Sequence, residues 1–284
     1  PLGLLAPGLR SAGVKRSVGI THGHEAGWAL VPGGRSGLRR IAAGLDVMTY
    51  LGDYTHRTIS RAVAPADRPK LVQLHAGVDT EQFAPGTGRA ERRAALGLGE
   101  RPVVVCVSRL VKRKGQDALI RALPAIRARV PGTALLIVGS GPDADRLRSL
   151  AARTGVATDV IFSGGVPWSE LPSWYAAGDV FAMPCRTRRR GLDVEGLGMV
   201  YLEASATGLA VVAGDSGGAP DAVLAGRTGH VVDGRSPAAV ADRISGLLSD
   251  PVAAAAMGAA GREWALQEWN WDLQAQRLLE LCEG

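Results

Sequence analysis

Arg109 and Lys114 bracket the loop Ser108-Arg109-Leu110-Val111-Lys112-Arg113-Lys114-Gly115, which follows an apolar run and opens an apolar-periodic stretch. Two cations and the positive end of a helix can converge there on one anion, and a diphosphate is the guest that suits both. Taken alone, such a loop also fits a solvated basic face. Further on, Gly191–Ala204 holds Glu195 and Glu203 with seven residues between them. Glu195 falls in a glycine-flanked loop, and Glu203 about a turn and a half inside the following helix, so the two reach opposite ends of one ligand. A carboxylate accepts hydrogen bonds from vicinal hydroxyls, the pattern that sugars present. Glu203 by itself also fits an exposed helical acid. The N–H groups of Gly198, Met199 and Val200, in the first turn of that helix, have no intrahelical acceptor and are free to meet phosphate oxygens.

Val138-Gly139-Ser140-Gly141-Pro142 is another turn where glycines let the backbone approach a ligand. It matches neither the dinucleotide fingerprint nor a Walker loop. Asp143-Ala144-Asp145 has a DxD pattern, but two acids in the first turn of a helix complement its dipole, so they read as capping residues, not metal ligands. Cys106, Cys185 and Cys282 are odd in number and lack paired spacing, which excludes a zinc site or disulfide framework and fits a reducing cytosol.

These turns need a frame, and hydrophobic patterning supplies it. Val103–Val107 reads as a buried strand; Leu119, Leu123, Ile126 and Val130 then recur at helical spacing. Strand and helix alternate again at Ala134–Val138, Val160–Phe162, Val180–Met183, Leu209–Ala213 and His230–Val232. Strands this apolar are covered on both faces, so the expected class is α/β with a parallel, doubly wound sheet and ligands at the strands' carboxyl ends. Residues 1–83 repeat the rhythm with three short strands, Ser17–Thr21, Val47–Tyr50 and Leu71–Leu74, fewer than a complete domain of this class carries. With Pro1 in place of a start methionine, the chain is expected to be amino-terminally truncated. Residues 84–101 have the polar, Pro/Gly-rich look of a linker with one short helix. The tail from Pro251 is helical, and Trp264, Trp269 and Trp271 are expected to pack between the domains.

Among 284 residues, 46% are hydrophobic, which excludes disorder, and no apolar run reaches membrane-spanning length. The net charge of +6 resides in the first quarter: residues 1–70 hold ten Lys/Arg against four Asp/Glu. Such a face can attract nucleic acid, anionic lipid or a phosphorylated small molecule. A nucleic-acid partner is not expected, because no recognisable module or aromatic stacking motif accompanies the charge.

Together, SRLVKRKG at 108–115, VGSG at 138–141, FSGGV at 162–166, EGLG with the second glutamate at 195–203, and SGGAP at 216–220 resemble the retaining, nucleotide-sugar-dependent glycosyltransferases of the GT-B fold. HAGVDTEQF at 75–83 is similar to the segment closing that family's first domain, and THGHE at 21–25 to its histidine turn. The resemblance covers essentially the whole chain. GLDVEGLGMVYLEA, VSRLVKRKGQDALIRALP and THGHEAGWALVPG are similar to actinobacterial GDP-mannose-dependent phosphatidylinositol mannosyltransferases, in particular those acting on the monomannoside.

The resemblance implies two Rossmann-like domains, the first incomplete: 1–83 on the acceptor side, a linker at 84–101, a nucleotide-sugar domain at 102–250, and helices at 251–284 packing across the interface. It implies transfer of mannose from GDP-mannose to a phosphatidylinositol mannoside-type lipid, without metal or cofactor, at the cytoplasmic face of an anionic plasma membrane met through the basic amino-terminal part. His22 matches the active-site histidine, with His24 the second choice. Arg109 and Lys114 match the pair that neutralises the departing diphosphate. Glu195 matches the acid that holds sugar hydroxyls, and Glu203 the one that holds the ribose; Gly141 and Val166 lie on turns expected to line the base and ribose pocket. Retention would follow a same-face displacement in which the departing phosphate takes the acceptor's proton.

Two departures stand out. Only 21 residues precede His22, too few to hold the family's glycine-rich loop, and a molecule made of these residues alone is expected to show weakened donor binding and very low turnover. Thr187-Arg188-Arg189-Arg190-Gly191 replaces a glycine run with cations that either meet a lipid headgroup or are simply solvated. Another nucleotide sugar or acceptor, or a fragment that only binds nucleotide, is the alternative.

Overall fold

The computed structural model describes residues 2–284. After helix α1 (Ala6–Ser11), a first parallel sheet orders its strands β1 (Val18–Gly19), β2 (Val47–Tyr50) and β3 (Leu71–Gln73) in sequence. Helices α2 (Glu25–Ala29) and α3 (Pro32–Gly44) lie between β1 and β2, and α4 (Asp53–Ser60) follows β2. Leu38, Ile41, Ala42, Met48 and Ile59 bury their side chains in this small core. The five residues of α2 enclose a glycine, too short a span for periodicity to reveal.

After α5 (Arg89–Ala95), the second sheet has six parallel strands. These are β4 (Val103–Val107), β5 (Ala134–Val138), β6 (Val160–Gly164), β7 (Val180–Met183), β8 (Ala210–Gly214) and β9 (Gly229–Val232). Their spatial order is β6-β5-β4-β7-β8-β9. The reversal between β4 and β7 is the switch point of a doubly wound sheet, where ligands sit beyond the strands' carboxyl ends. Every residue of β4, β5, β7 and β8 is buried, which is why these runs carry no polar alternation. Between the strands run α6 (Gln116–Arg129), α7 (Ala144–Arg153), α8 (Leu171–Ala176) and α9 (Met199–Ala206). Helix α6 buries Leu119, Leu123 and Ile126, as their spacing predicts, and stops at Arg129, leaving Val130 beyond its end.

Residues 84–101 connect the sheets but are docked on the second body. Arg89 donates to the carbonyls of Ala176 and Gly178 and to Asp179, while Arg93 donates to the carbonyl of Ala177. Helix α10 (Pro237–Ser249), unremarked in the sequence, is capped by Ser236 Oγ, which accepts from Ala239 N at 3.2 Å, and buries Val240, Ile244 and Leu247.

Helices α11 (Pro251–Glu268) and α12 (Trp271–Glu283) carry the chain back to the first body. Trp269 stacks on His75 at 3.7 Å between ring centroids, and its carbonyl accepts from Val78 N. Arg16 donates to the carbonyl of Leu281. Of the three tail tryptophans, Trp269 packs between the bodies and Trp264 backs it edge-on, but Trp271 is 54% exposed. It lies against Gly77 of the first body at the edge of the cleft, between the bodies as expected but not buried in a core.

Candidate active site

A cleft of about 840 Å³ runs between the two bodies. One wall is the turn after β1. Thr21 donates its hydroxyl to the carbonyl of Thr49 on β2 and its N–H to the Thr49 hydroxyl oxygen, which fixes the backbone leading into His22. The His22 N–H donates to Glu25 at 3.0 Å, leaving the imidazole exposed on the cleft. His24, also exposed, lines the same wall.

The opposite wall is the loop before α9. Gly217 and Gly218 back it: a Cβ at Gly217 would stand 2.1 Å from the Glu195 carbonyl, and one at Gly218 2.1 Å from that of Gly196. Gly218 N donates to Glu195 O at 2.9 Å, and Glu195 N to Ser216 Oγ. The SGGAP turn is therefore a clamp beneath Glu195. Across the cleft, Gly23 has φ +89°, and a Cβ there would lie 3.0 Å from Gly196 Cα. Only backbone fits between the histidine turn and the glutamate loop.

Lys114 is buried and donates from Nζ to Glu195 Oε2 at 2.5 Å. The cation expected at the diphosphate and the acid expected at the sugar thus form one pair at the cleft floor. Gly198, Met199 and Val200 line the cleft beside it, with Gly198 at φ +90° as the cap of α9. The helix tip facing the cleft is that of α9. The tip of α6, expected to share the anion of Arg109 and Lys114, is covered: Asp117 there takes the Arg186 guanidinium at 2.7 Å, and a Cβ at Gly115 would strike the Pro184 carbonyl.

Four expected residues are not on the cleft wall. Arg109 is exposed on the neighbouring loop and forms no ion pair among the described residues. Gly141 packs under that loop, where a Cβ would come 2.4 Å from the Leu110 carbonyl, and Val166 is half-buried against the core. The three turns adjoin, since Leu110 N donates to Ser140 O and Gly139 N to Gly164 O. They form a shelf beside the cleft. Glu203 is neither exposed nor at the cleft: it is buried and accepts the Tyr175 hydroxyl at 2.5 Å. Burial pushes its carboxyl above the usual range, against the Tyr175 hydrogen bond and the Lys114 charge. Flanking Tyr201, Leu202, Ala204 and Ala206 are all buried, a signal of immersion readable in the sequence.

Asp143 and Asp145 do not cap α7 by hydrogen bonds. Asp143 takes both prongs of Arg146, and Asp145 lies 3.4 Å from Arg148. Among the described residues no three His, Cys, Asp or Glu side chains gather as a metal site. Sequence reasoning missed Leu51, His75, Trp271 and Gln274, which complete the cleft from β2's end, β3's end and α12. Burial lowers the His75 imidazole to about 4, so the ring facing Trp269 is neutral.

Two parallel-sheet bodies facing across a cleft, with a lysine–glutamate pair at the switch-point wall and a histidine opposite, define a glycosyltransferase of the GT-B fold. The chain belongs to the glycosyl transferases group 1 family, whose model matches residues 88–264. It is 55% identical over 285 residues, 100% of this chain and 74% of the relative, to a GDP-mannose-dependent alpha-(1-6)-phosphatidylinositol monomannoside mannosyltransferase of Mycolicibacterium smegmatis. A D-inositol 3-phosphate glycosyltransferase of Corynebacterium glutamicum is 36% identical over 225 residues, 76% of this chain and 52% of that protein. Among solved structures, sucrose-phosphate synthase from Thermosynechococcus elongatus superimposes with a TM-score of 0.81 at 26% identity, over 98% of this chain and 70% of that one.

Proposed function

We propose that the protein transfers mannose from GDP-mannose to a phosphatidylinositol mannoside-type lipid, with retention of anomeric configuration and without a metal ion. The observation that carries this reading is the 55% identity to the Mycolicibacterium smegmatis mannosyltransferase, which extends over the whole chain and so over both cleft walls.

The geometry supports a division of labour. Lys114 and the α9 tip hold the diphosphate in the cleft, and Arg109 meets it from the shelf, where charge developing on the leaving group is stabilised. The base lies over the turns of Gly141 and Val166. Glu195, fixed by Lys114, accepts from sugar hydroxyls; His22 meets the sugar from the opposite wall. Glu203, held by Tyr175, bears on Lys114 through charge and reaches a ribose only by turning away from that hydroxyl. The departing phosphate takes the acceptor's proton, so no protein nucleophile is required.

The lipid reaches the site from a membrane surface. Lys15 is exposed after α1, and Arg39 and Arg40 are exposed on α3. Exposed basic groups suit the cytoplasmic surface of an anionic plasma membrane. No described helix is long and apolar enough to cross one.

The test has two arms. In calorimetry with GDP-mannose, UDP-glucose and UDP-N-acetylglucosamine, GDP-mannose is expected to bind and a preference for a UDP sugar overturns the donor assignment. With radiolabelled GDP-mannose and vesicles carrying phosphatidylinositol monomannoside, label is expected in the lipid. The inositol phosphate in the Corynebacterium relative's name gives a second reading, a soluble acceptor, and label passing to free inositol phosphate in its place would favour it.

A further inference from the structure

Helix α4 begins without a cap of its own. Its N-cap is Gly52, which has no side chain to accept the first-turn N–H groups. Thr55 supplies half of a capping box, its Oγ1 accepting from the N–H groups of Leu51 and Gly52. The other half comes from the second body: Asp221 Oδ2 accepts from Tyr54 N at 3.1 Å, across 167 residues of sequence. A Cβ at Gly52 would stand 2.6 Å from that oxygen and 2.9 Å from Asp221 Cβ. Its φ of −162° is extended backbone that any residue adopts, so the glycine leaves room for the aspartate and relieves no strain.

The two ends of this contact lead to the two cleft walls. Asp221 closes the turn that clamps Glu195: Asp221 N donates to Gly218 O, and Gly218 N to Glu195 O. On the other side, the chain entering α4 holds Leu51, whose Cδ1 would lie 3.2 Å from a Cβ at Gly23, and Thr49, which is hydrogen-bonded to Thr21 just before His22. We propose that Asp221 is a positioning residue, an interdomain N-cap whose bond to Tyr54 N sets the separation of the His22 turn from the Glu195 loop. Loss of that bond lets the walls part while each keeps its own internal structure. Burial holds the Asp221 carboxyl above the usual range, as expected of a carboxylate drawn between two packed bodies. The proposal rests on the glycosyltransferase reading only in treating these walls as the two sides of one reaction cleft.

The experiment measures the separation directly. In a C282S background, which removes the one exposed thiol, R40C on α3 and S149C on α7 carry spin labels, and their distance distribution is read by double electron–electron resonance. Four forms are compared: Asp221 unchanged, D221N, D221G, and D221G with G52S. Asparagine retains an acceptor, so D221N is expected to keep the narrow distribution of the unchanged protein. D221G is expected to broaden and shift it. Serine at position 52 caps α4 within its own domain, so the double variant is expected to regain the melting temperature but not the narrow distribution.

GDP affinity by calorimetry is expected to stay within about twofold in all four, because the diphosphate groups lie on the second body. Mannosyl turnover is expected to fall about tenfold in D221G and in the double variant, with KM for GDP-mannose little changed. An unchanged distribution in D221G overturns the proposal, as does a double variant that recovers both readouts or a D221N that opens like D221G. Should D221G fail to fold, the double variant decides. Absence of turnover in the unchanged chain counts against the proposed reaction alone, and the distance distribution still decides the latch.

Discussion

Lys114 and Glu195 stand 2.5 Å apart at the floor of the cleft, both buried, 81 residues distant in sequence. The pair joins the loop after β4 to the loop before α9, so the switch point of the sheet is tied by charge as well as by backbone. A buried pair is weak as a stabiliser because both ions have lost water, but each is strongly dependent on the other.

Removing one partner should therefore cost more than removing both. E195L or K114M alone is expected to destabilise by about 3 kcal/mol, since each leaves an uncompensated charge. K114M/E195L together is expected to restore most of that loss while donor binding stays abolished. Chemical denaturation and calorimetry with GDP separate the two effects. A double variant as unstable as the singles would show that the ions are not coupled.

Arg109 should behave in the opposite way. Exposed and without an ion pair among the described residues, it is expected to tolerate alanine with less than about 0.5 kcal/mol of stability change. GDP affinity is expected to drop about tenfold, because one charge-assisted contact to the diphosphate is lost. Unaltered affinity in R109A would remove the shelf from the binding site.

The Glu203 carboxyl makes neutral pH costly. Its folded value lies above the ordinary 4.5, so between those values the folded state binds more protons than the unfolded one. Stability contributed by the protonated form is thus present below 4.5 and declines as pH rises through the shifted value. E203Q is expected to flatten this decline and to raise the melting temperature near neutrality. Y175F, which removes the hydroxyl donor, is expected to steepen it. Melting curves across the acid-to-neutral range decide.

His75 predicts the reverse slope. Its imidazole falls from 6.5 to about 4 on folding, so the unfolded state takes up protons first as pH drops. Stability is expected to decline from about pH 6.5 down to about 4 and to level off below, with the loss centred on the His75–Trp269 stack. H75F preserves an aromatic face and is expected to erase this limb of the profile.

Much of the second sheet is legible in the sequence because β4, β5, β7 and β8 are buried on both faces and therefore written as unbroken apolar runs. The glycine turns are legible for the related reason that close backbone approach leaves one admissible residue, as at Gly217 over the Glu195 carbonyl. What escaped is tertiary. No local pattern says that Lys114 pairs with Glu195, that Arg186 covers the α6 tip, or that Trp271 and Gln274 arrive from the far end of the chain to finish the cleft. The burial of Glu203 is legible in the apolar residues on every side of it, whereas its spacing to Glu195 points to a shared ligand instead.

The return of α12 to the first body has a consequence for biosynthesis. A ribosome makes α12 long after the first body, and Asn270, Trp271 and Leu281 are the residues that meet Val78, Gly77 and Arg16. The segment from Arg16 to Val78 must wait, its docking surface bare, until α12 has been made. A nascent chain stalled before α12 should accordingly be bound by holding chaperones through the Arg16–Val78 segment.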